Sequence, residues 1–161
     1  MAYQAKEDSD VLKIFGDNVR SARKKHGLTI QQLAKNANCD REGLSLIENG
    51  ERNLSYNTAK KIAKALDIAF PILMSRSFTP DMDENAGNKF TEDNFLLIFA
   101  ENVTKRLRQQ EMEQRDLYID TNIPEGNISR ILRGKNHNPR LKTLDLLSKA
   151  IQTDLLDLFT R

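Results

Sequence analysis

Apolar residues recur along the chain at helical intervals and stop at turn-forming residues. Val11, Phe15, Val19 and Ala22 fall on one face of a helix predicted to run to about His26, with Arg20, Arg23, Lys24 and Lys25 beside that stripe. Gly27 ends it. Thr29 followed by Gln32 has capping-box spacing, in which hydroxyl and amide each satisfy a free backbone N–H, and predicts a second helix to about Asn36. Asp40 is placed to cap a third through Glu48 or Asn49, and Gly50 suits the left-handed position that closes it. Ser55 caps a fourth helix carrying Ala59, Ile62, Ala63 and Leu66, and Phe70, Ile72, Leu73 and Met74 predict a short apolar fifth. No strand-like alternation interrupts this pattern, so the fold class is all-α.

The pattern occurs twice. At an offset of 84, Ile14-Phe15 matches Ile98-Phe99, Asn18-Val19 matches Asn102-Val103, and Leu33, Asn38, Ser45, Ile47 and Gly50 match Leu117, Asn122, Ser129, Ile131 and Gly134. After one extra residue in the second copy, Thr58, Lys64-Ala65 and Leu73 match Thr143, Lys149-Ala150 and Leu158 at an offset of 85. The repeat divides the chain into an N-terminal extension (1–11), a first module (12–75), a linker (76–91) and a second module (92–161), each module within the size range that folds alone. The linker holds Pro80, Gly87 and several Asp, Asn and Ser residues. In the second module Thr91 with Glu92 and Asp93 is expected to start the first helix, Phe95, Phe99, Val103 and Leu107 supply its stripe, and Gly134 ends the third.

Composition narrows the function classes. The chain has 161 residues, of which 39% are hydrophobic, and a single cysteine, Cys39, which excludes a disulfide scaffold and suits a reducing compartment. The start has no basic segment leading into an apolar one, and no apolar run approaches the ~18–20 residues of a membrane span, so a soluble protein of the cytoplasm is expected. The formal net charge of +2 argues weakly for a nucleic-acid partner until it is resolved by segment. Residues 12–75 carry 11 basic and 6 acidic side chains, whereas 92–161 carry 11 of each. Even there Arg130, Arg133, Lys135, Arg140 and Lys142 fall within 130–142 with no acid among them. His26 and His137 lack a Cys or second His at ligand spacing, so no metal is expected; no cofactor motif occurs, and no Gly-rich phosphate loop, nucleophile elbow or paired carboxylates suggest an enzyme. Cys39 reads as a small packing residue.

The spacing Leu28-Thr29, Leu33-Ala34, Asn38, Leu44 and Ile47-Glu48-Asn49-Gly50 resembles the phage-repressor and Cro type of helix-turn-helix, also known as the xenobiotic-response-element type. The second copy is a more divergent match, keeping Leu117, Ile128, Ile131, Gly134 and Pro139 but carrying Leu132-Arg133 in place of Glu-Asn. The resemblance implies two tandem five-helix, lambda-repressor-like domains joined by a linker, acting as a sequence-specific regulator of transcription, most simply a repressor of bacterial or phage origin associated with the nucleoid. It also implies an ion pair between Arg23 and Glu48. The matching positions of the second copy are Leu107 and Leu132, so both partners changed together. That is what a buried pair requires, since removing one charge strands the other.

The resemblance further implies that the third helix of each module enters the DNA major groove and the start of the second faces a phosphate. Carried over by position, the base-reading residues of the first module are Arg41, Glu42, Ser45 and Leu46: Arg41 toward guanine, Glu42 toward a cytosine amine, Leu46 toward a thymine methyl. Thr29, Asn49 and Arg52 would address phosphates, and Ile30 stands where a polar contact is common. In the second module the reading set is Glu125, Asn127, Ser129 and Arg130, with Gly126 supplying no readout group; Gln114, Arg133, Lys135 and His137 are the backbone candidates. Pro124 offers a helix start without a side-chain cap. The implied partner is double-stranded DNA, bound by one chain as a pseudo-dimer or by a homodimer, with no membrane. The alternative is a second module turned to dimerisation or to a protein partner, as in an antitoxin. The stripes Phe70–Met74 and Leu155–Phe159 fit either core lids or a dimer interface.

Overall fold

The computed structural model describes residues 10–81 and 94–160, which fall into two compact units, one on each side of the gap. The first contains α1 (Val11–Lys25), α2 (Ile30–Asn36), α3 (Arg41–Glu48), α4 (Tyr56–Ala65) and a closing 3-10 helix, Phe70–Met74. The second contains α5 (Phe95–Gln109), α6 (Gln114–Thr121), α7 (Glu125–Leu132), α8 (Leu141–Ala150) and a closing 3-10 helix, Leu155–Phe159. Every described element is helical.

Local chemistry explains the helix starts. Thr29 N–H donates to Gln32 Oε1 at 2.8 Å while Gln32 N–H donates to Thr29 Oγ1 at 3.1 Å, the reciprocal pair of a capping box. Asp40 Oδ2 accepts from Gly43 N–H at 3.1 Å and Ser55 Oγ from Thr58 N–H at 3.4 Å. Pro124 caps α7 with backbone alone, its carbonyl accepting from Asn127 N–H at 2.9 Å. The expected Thr91, Glu92 and Asp93 start lies outside the described residues; Asn94 stands before α5 with no side-chain cap.

The repeat matches position by position at its turns. Left-handed backbone occurs at Gly27, Asn38, Gly50 and Asp67 in one module and at Glu111, Asn122, Gly134 and Gln152 in the other. Asn38 and Asn122 therefore match because the turn between the second and third helices needs a positive φ, which asparagine tolerates. The Gly27 position shows the cost of departing from glycine. Leu28 N–H to the Arg23 carbonyl and Met112 N–H to the Leu107 carbonyl are the same cap bond, at 3.1 and 2.8 Å, yet Glu111 adopts φ 55° with a side chain attached. Glu111→Gly is expected to stabilise the second module by about 0.5–1 kcal/mol, raising its melting temperature by about 3–6 °C. An unchanged or lowered transition would contradict this account.

Each core is filled by the predicted stripes: Phe15, Val19, Leu33, Leu44 and Ile62 in the first module, and Phe99, Val103, Leu117, Ile128 and Leu144 in the second. The closing 3-10 helices are core lids. All five residues of Phe70–Met74 are buried within their own module, Phe70 meeting Tyr56 edge-to-face at 5.1 Å, and Phe159 stacks on Phe99 at 5.4 Å. One asparagine fastens each lid. Asn18 Nδ2 donates to the carbonyls of Leu73 and Ser75, both at 2.9 Å, and Asn102 Nδ2 donates to those of Leu158 and Thr160 at 2.9 and 2.7 Å. Part of the segment that composition reads as linker is also tied down: Arg76 makes two 2.7 Å bonds to Asp10 before the start of α1, and Asp81 pairs with Lys25 at its end.

Candidate nucleic-acid interface

The face of α3 divides by chemistry. Gly43, Leu44, Ile47 and Glu48 are buried, whereas Arg41, Glu42 and Leu46 are exposed and Ser45 is half-buried beside them. Leu46 is 36% exposed, an outward apolar side chain in a surface otherwise polar at that face. The helix can present this face because its other side is held close to α1. A Cβ added at Gly16 would sit 2.3 Å from the Ile47 carbonyl oxygen and 2.8 Å from that of Glu48, so glycine is what allows this approach.

Beneath this exposed face lies a buried charge. Arg23 Nε donates to Glu48 Oε2 at 2.7 Å and its Nη2 to Oε1 at 3.0 Å, a two-pronged pair, while its Nη1 satisfies the Leu28 carbonyl at 2.9 Å. Glu48 is 1% exposed. Sequence reasoning missed the third member: Arg20 approaches Glu48 Oε1 at 3.4 Å and donates from Nη2 to Asn49 Oδ1 at 2.6 Å. Its signal was the spacing, since Arg20 lies one helical turn before Arg23 on the same side of α1. Asn49, a phosphate candidate, is thus oriented from below. In the second module Leu107 is buried and Leu132 half-buried on α5 and α7, which pack together.

Thr29 is exposed at the start of α2 and Ile30 is half-buried. Arg52 folds back over the start of α3: a Cβ at Gly43 would lie 2.8 Å from its Nη1 and 2.6 Å from Asp40 Oδ1. Cys39, in the turn, is half-buried, and burial followed by the neighbouring Asp40 carboxylate pushes its thiol above the usual range, which keeps it in the inert form. In the second module Glu125, Gly126, Asn127 and Arg130 are exposed on α7, with Ser129 half-buried. Arg130 Nη2 donates to Asn127 Oδ1 at 2.7 Å. Arg133, Lys135 and His137 are exposed in the following loop, and Gln114 is half-buried at the start of α6. Asn127, Arg130 and Lys135 share one cleft, whereas Arg133, His137 and Gln114 lie outside it.

The family model described as helix-turn-helix matches residues 19–73, and that described as the Cro/C1-type HTH DNA-binding domain matches 102–161. Control protein C.SmaI of Serratia marcescens is 36% identical over 67 residues, covering 42% of this chain and 80% of that protein. The chain belongs to the Cro/C1-type helix-turn-helix family. A second family member, the HTH-type transcriptional repressor RghR of Bacillus subtilis (strain 168), is 37% identical over 67 residues, 41% of this chain and 50% of its own length. This Cro/C1-type chain therefore carries the family's motif twice, once with the buried Arg23–Glu48 pair and once with leucines in its place.

Proposed function

We propose that this DNA-binding transcription regulator represses by occupying an operator, with α3 reading base edges in the major groove and α7 seated on an adjoining half-site. The observation that carries this reading is the exposed Arg41, Glu42 and Leu46 surface of α3, set opposite a face that Leu44, Ile47 and Glu48 anchor in the core. These side chains suit guanine, a cytosine amine and a thymine methyl, while Thr29, Asn49 and Arg52 flank them as backbone contacts. The Bacillus subtilis relative is a transcriptional repressor, which supports repression. Among the described residues no helix is long and apolar enough to cross a membrane, and the operator places the protein in the cytoplasm with its DNA.

One chain holds two unlike readers, so a single chain spanning both half-sites reads an asymmetric operator, whereas a homodimer reads a longer inverted repeat. The 12 residues between Asp81 and Asn94 would measure at most about 40–45 Å if fully extended, more than the ~34–36 Å between successive half-sites. Selection of bound DNA from a random pool, followed by mass measurement of the complex, tests the proposal. Arg41→Ala is expected to weaken the selected site by about 1–3 kcal/mol and relax its preference at one base pair. Equal loss on every sequence would mean that Arg41 does not read bases.

A second reading gives DNA to the first module alone and a protein partner or second copy to the other. Tyr118 and Ile119, 42% and 56% exposed on α6, favour it. Charge reversal decides. Arg130→Glu with Arg133→Glu is expected to lower the salt dependence of operator binding by about one to two units, and an unchanged affinity and slope would select the second reading.

A further inference from the structure

We propose that the lysine stripe on the outer face of α4, continued by Lys35 near the end of α2, is a second DNA-binding surface of the first module, which holds the phosphate backbone of another duplex while α3 occupies the operator. Asn57, Lys61 and Lys64 are exposed along α4 and Lys60 is half-buried beside them, an i, i+3, i+4, i+7 pattern that puts all four on one side of the helix. Lys60 Nζ stands over the Tyr56 ring, 5.3 Å from its centre. Lys35 is exposed on α2, which packs against α4. Burial and then Asp40 raise the Cys39 thiol while Lys61 acts the other way, which sets its ammonium near the turn between α2 and α3. From Arg52 to Leu66 the chain has no acid. None of the four lysines has a carboxylate within ion-pair reach among the described residues, whereas Arg20, Arg23, Lys25 and Arg76 do.

This charge is held against the preference of the helix. Lys60 and Lys64 stand one turn apart, as do Lys61 and Lys64, and like charges at those spacings disfavour a helix. The negative end of the helix dipole accounts for Lys64 in the last turn, but Lys60 and Lys61 lie before it. The matching helix of the second module is compensated. There Asp145 and Lys149 occupy the positions of Lys60 and Lys64 and form an ion pair at 3.5 Å, and Leu146, which is buried, occupies that of Lys61. The repeated frame therefore accommodates a paired helix at this place, and the unpaired cations of α4 answer to something outside the module.

Two features select a phosphate backbone. Leu46 on α3 is the one exposed large apolar side chain among the described residues of this module, so the α4 face has neither the apolar centre of a protein interface, from which lysine is depleted, nor the apolar side of a membrane-bound helix. Ammoniums on flexible stems, spread along the helix, suit instead the repeated charge of a nucleic-acid backbone, which they hold without reading sequence. The stripe is also clear of α3. That helix packs on α1 and α2, whereas α4 packs on α2 and the closing 3-10 helix, so α2 separates the two outer faces. A chain seated on its operator through α3, the reading on which this inference rests, has these cations left for a second stretch of DNA and draws the two duplexes together.

The test seats the full chain on an immobilised duplex carrying the operator selected from the random pool, and adds a fluorescent duplex of unrelated sequence. Capture of the second duplex is expected, falling steeply with salt. Lys35→Gln with Lys61→Gln and Lys64→Gln is expected to weaken capture by about tenfold or more and to lower its salt slope by about two to three units, with operator affinity changed by about twofold or less. Lys60→Glu, which gives Lys64 a partner one turn away, is expected to weaken capture comparably with the first module's melting temperature unchanged or higher, a combination that damage to the fold does not produce. Capture that is absent in the unsubstituted chain, or that persists in both variants, overturns the stripe. So does capture that survives them and is lost with Arg130→Glu and Arg133→Glu, since the second module then holds the other duplex. Poly-L-glutamate that displaces the second duplex at equal charge and salt marks an acidic protein as the partner and overturns it too. Arg41→Ala separates the two readings. If it relaxes the operator preference while the lysine variants leave capture untouched, the stripe alone falls; if it leaves the preference intact while they abolish capture, the groove reading of α3 alone falls.

Discussion

Glu48→Leu is expected to cost the first module about 3–5 kcal/mol, and Arg23→Leu together with Glu48→Leu to cost less than either change alone. Glu48 is 1% exposed and Arg23 holds it through bonds of 2.7 and 3.0 Å, so Glu48→Leu strands the Arg23 guanidinium, and Arg23→Leu leaves the buried carboxylate only its longer 3.4 Å contact with Arg20. The scale matters here. A module of this size has roughly 4–10 kcal/mol of total stability, so the single variants sit near the edge of unfolding. Replacing both partners with leucine reproduces the pair of residues present at 107 and 132 of the same chain, where α5 and α7 pack without ions. Arg20 keeps a solvent route for its charge in the double variant, being the more exposed of the two arginines. A double-mutant cycle on the first module's thermal transition measures the coupling, and costs that simply add would show that the contact is no energetic unit.

Gly16→Ala is expected to cost the same module about 2–3 kcal/mol or more. A Cβ there meets two backbone oxygens of α3, at 2.3 and 2.8 Å, and backbone cannot swing aside as a long side chain can. The helix must retreat from α1, stretching the Arg23–Glu48 bonds and moving Arg41 and Leu46 with it. Both a lower melting temperature and weaker operator binding are therefore expected from one methyl group, whereas Ala100, already present at the matching position of α5, shows that the second module accepts it. An unchanged melting temperature in Gly16→Ala would refute the close approach.

What the sequence discloses and what it conceals divides along the range of the interactions. The caps at Thr29, Asp40 and Ser55 were legible because donor and acceptor lie three residues apart, and the helical stripes because their period is local. The two-module plan was legible because the chain contains its own comparison. Asn18 and Asn102 were visible as a match without a meaning, since their acceptors lie 55 to 58 residues away. Gly16 gave no local sign, as the atoms it makes room for belong to another helix. Arg76 and Asp81 were read with their turn-rich neighbours, while their partners stand at Asp10 and Lys25. In the second module, the basic run from Arg130 to Lys142 announced charge; that Asn127 restrains Arg130, and that Lys135 shares its cleft, depends on how α7 and its loop come together.

The paired amides of Asn18 and Asn102 carry a consequence for how such a chain can be assembled. Each binds the last turn of its module back to the first helix, so the polypeptide closes on itself twice, and nothing needed for either closure is borrowed from the other. A stretch that ends where it began can be copied and joined head to tail without leaving a raw apolar edge at the seam. Two side-chain amides thus mark the natural cutting points of the chain, and they leave each copy free to diverge at its exposed surface while its frame stays the same.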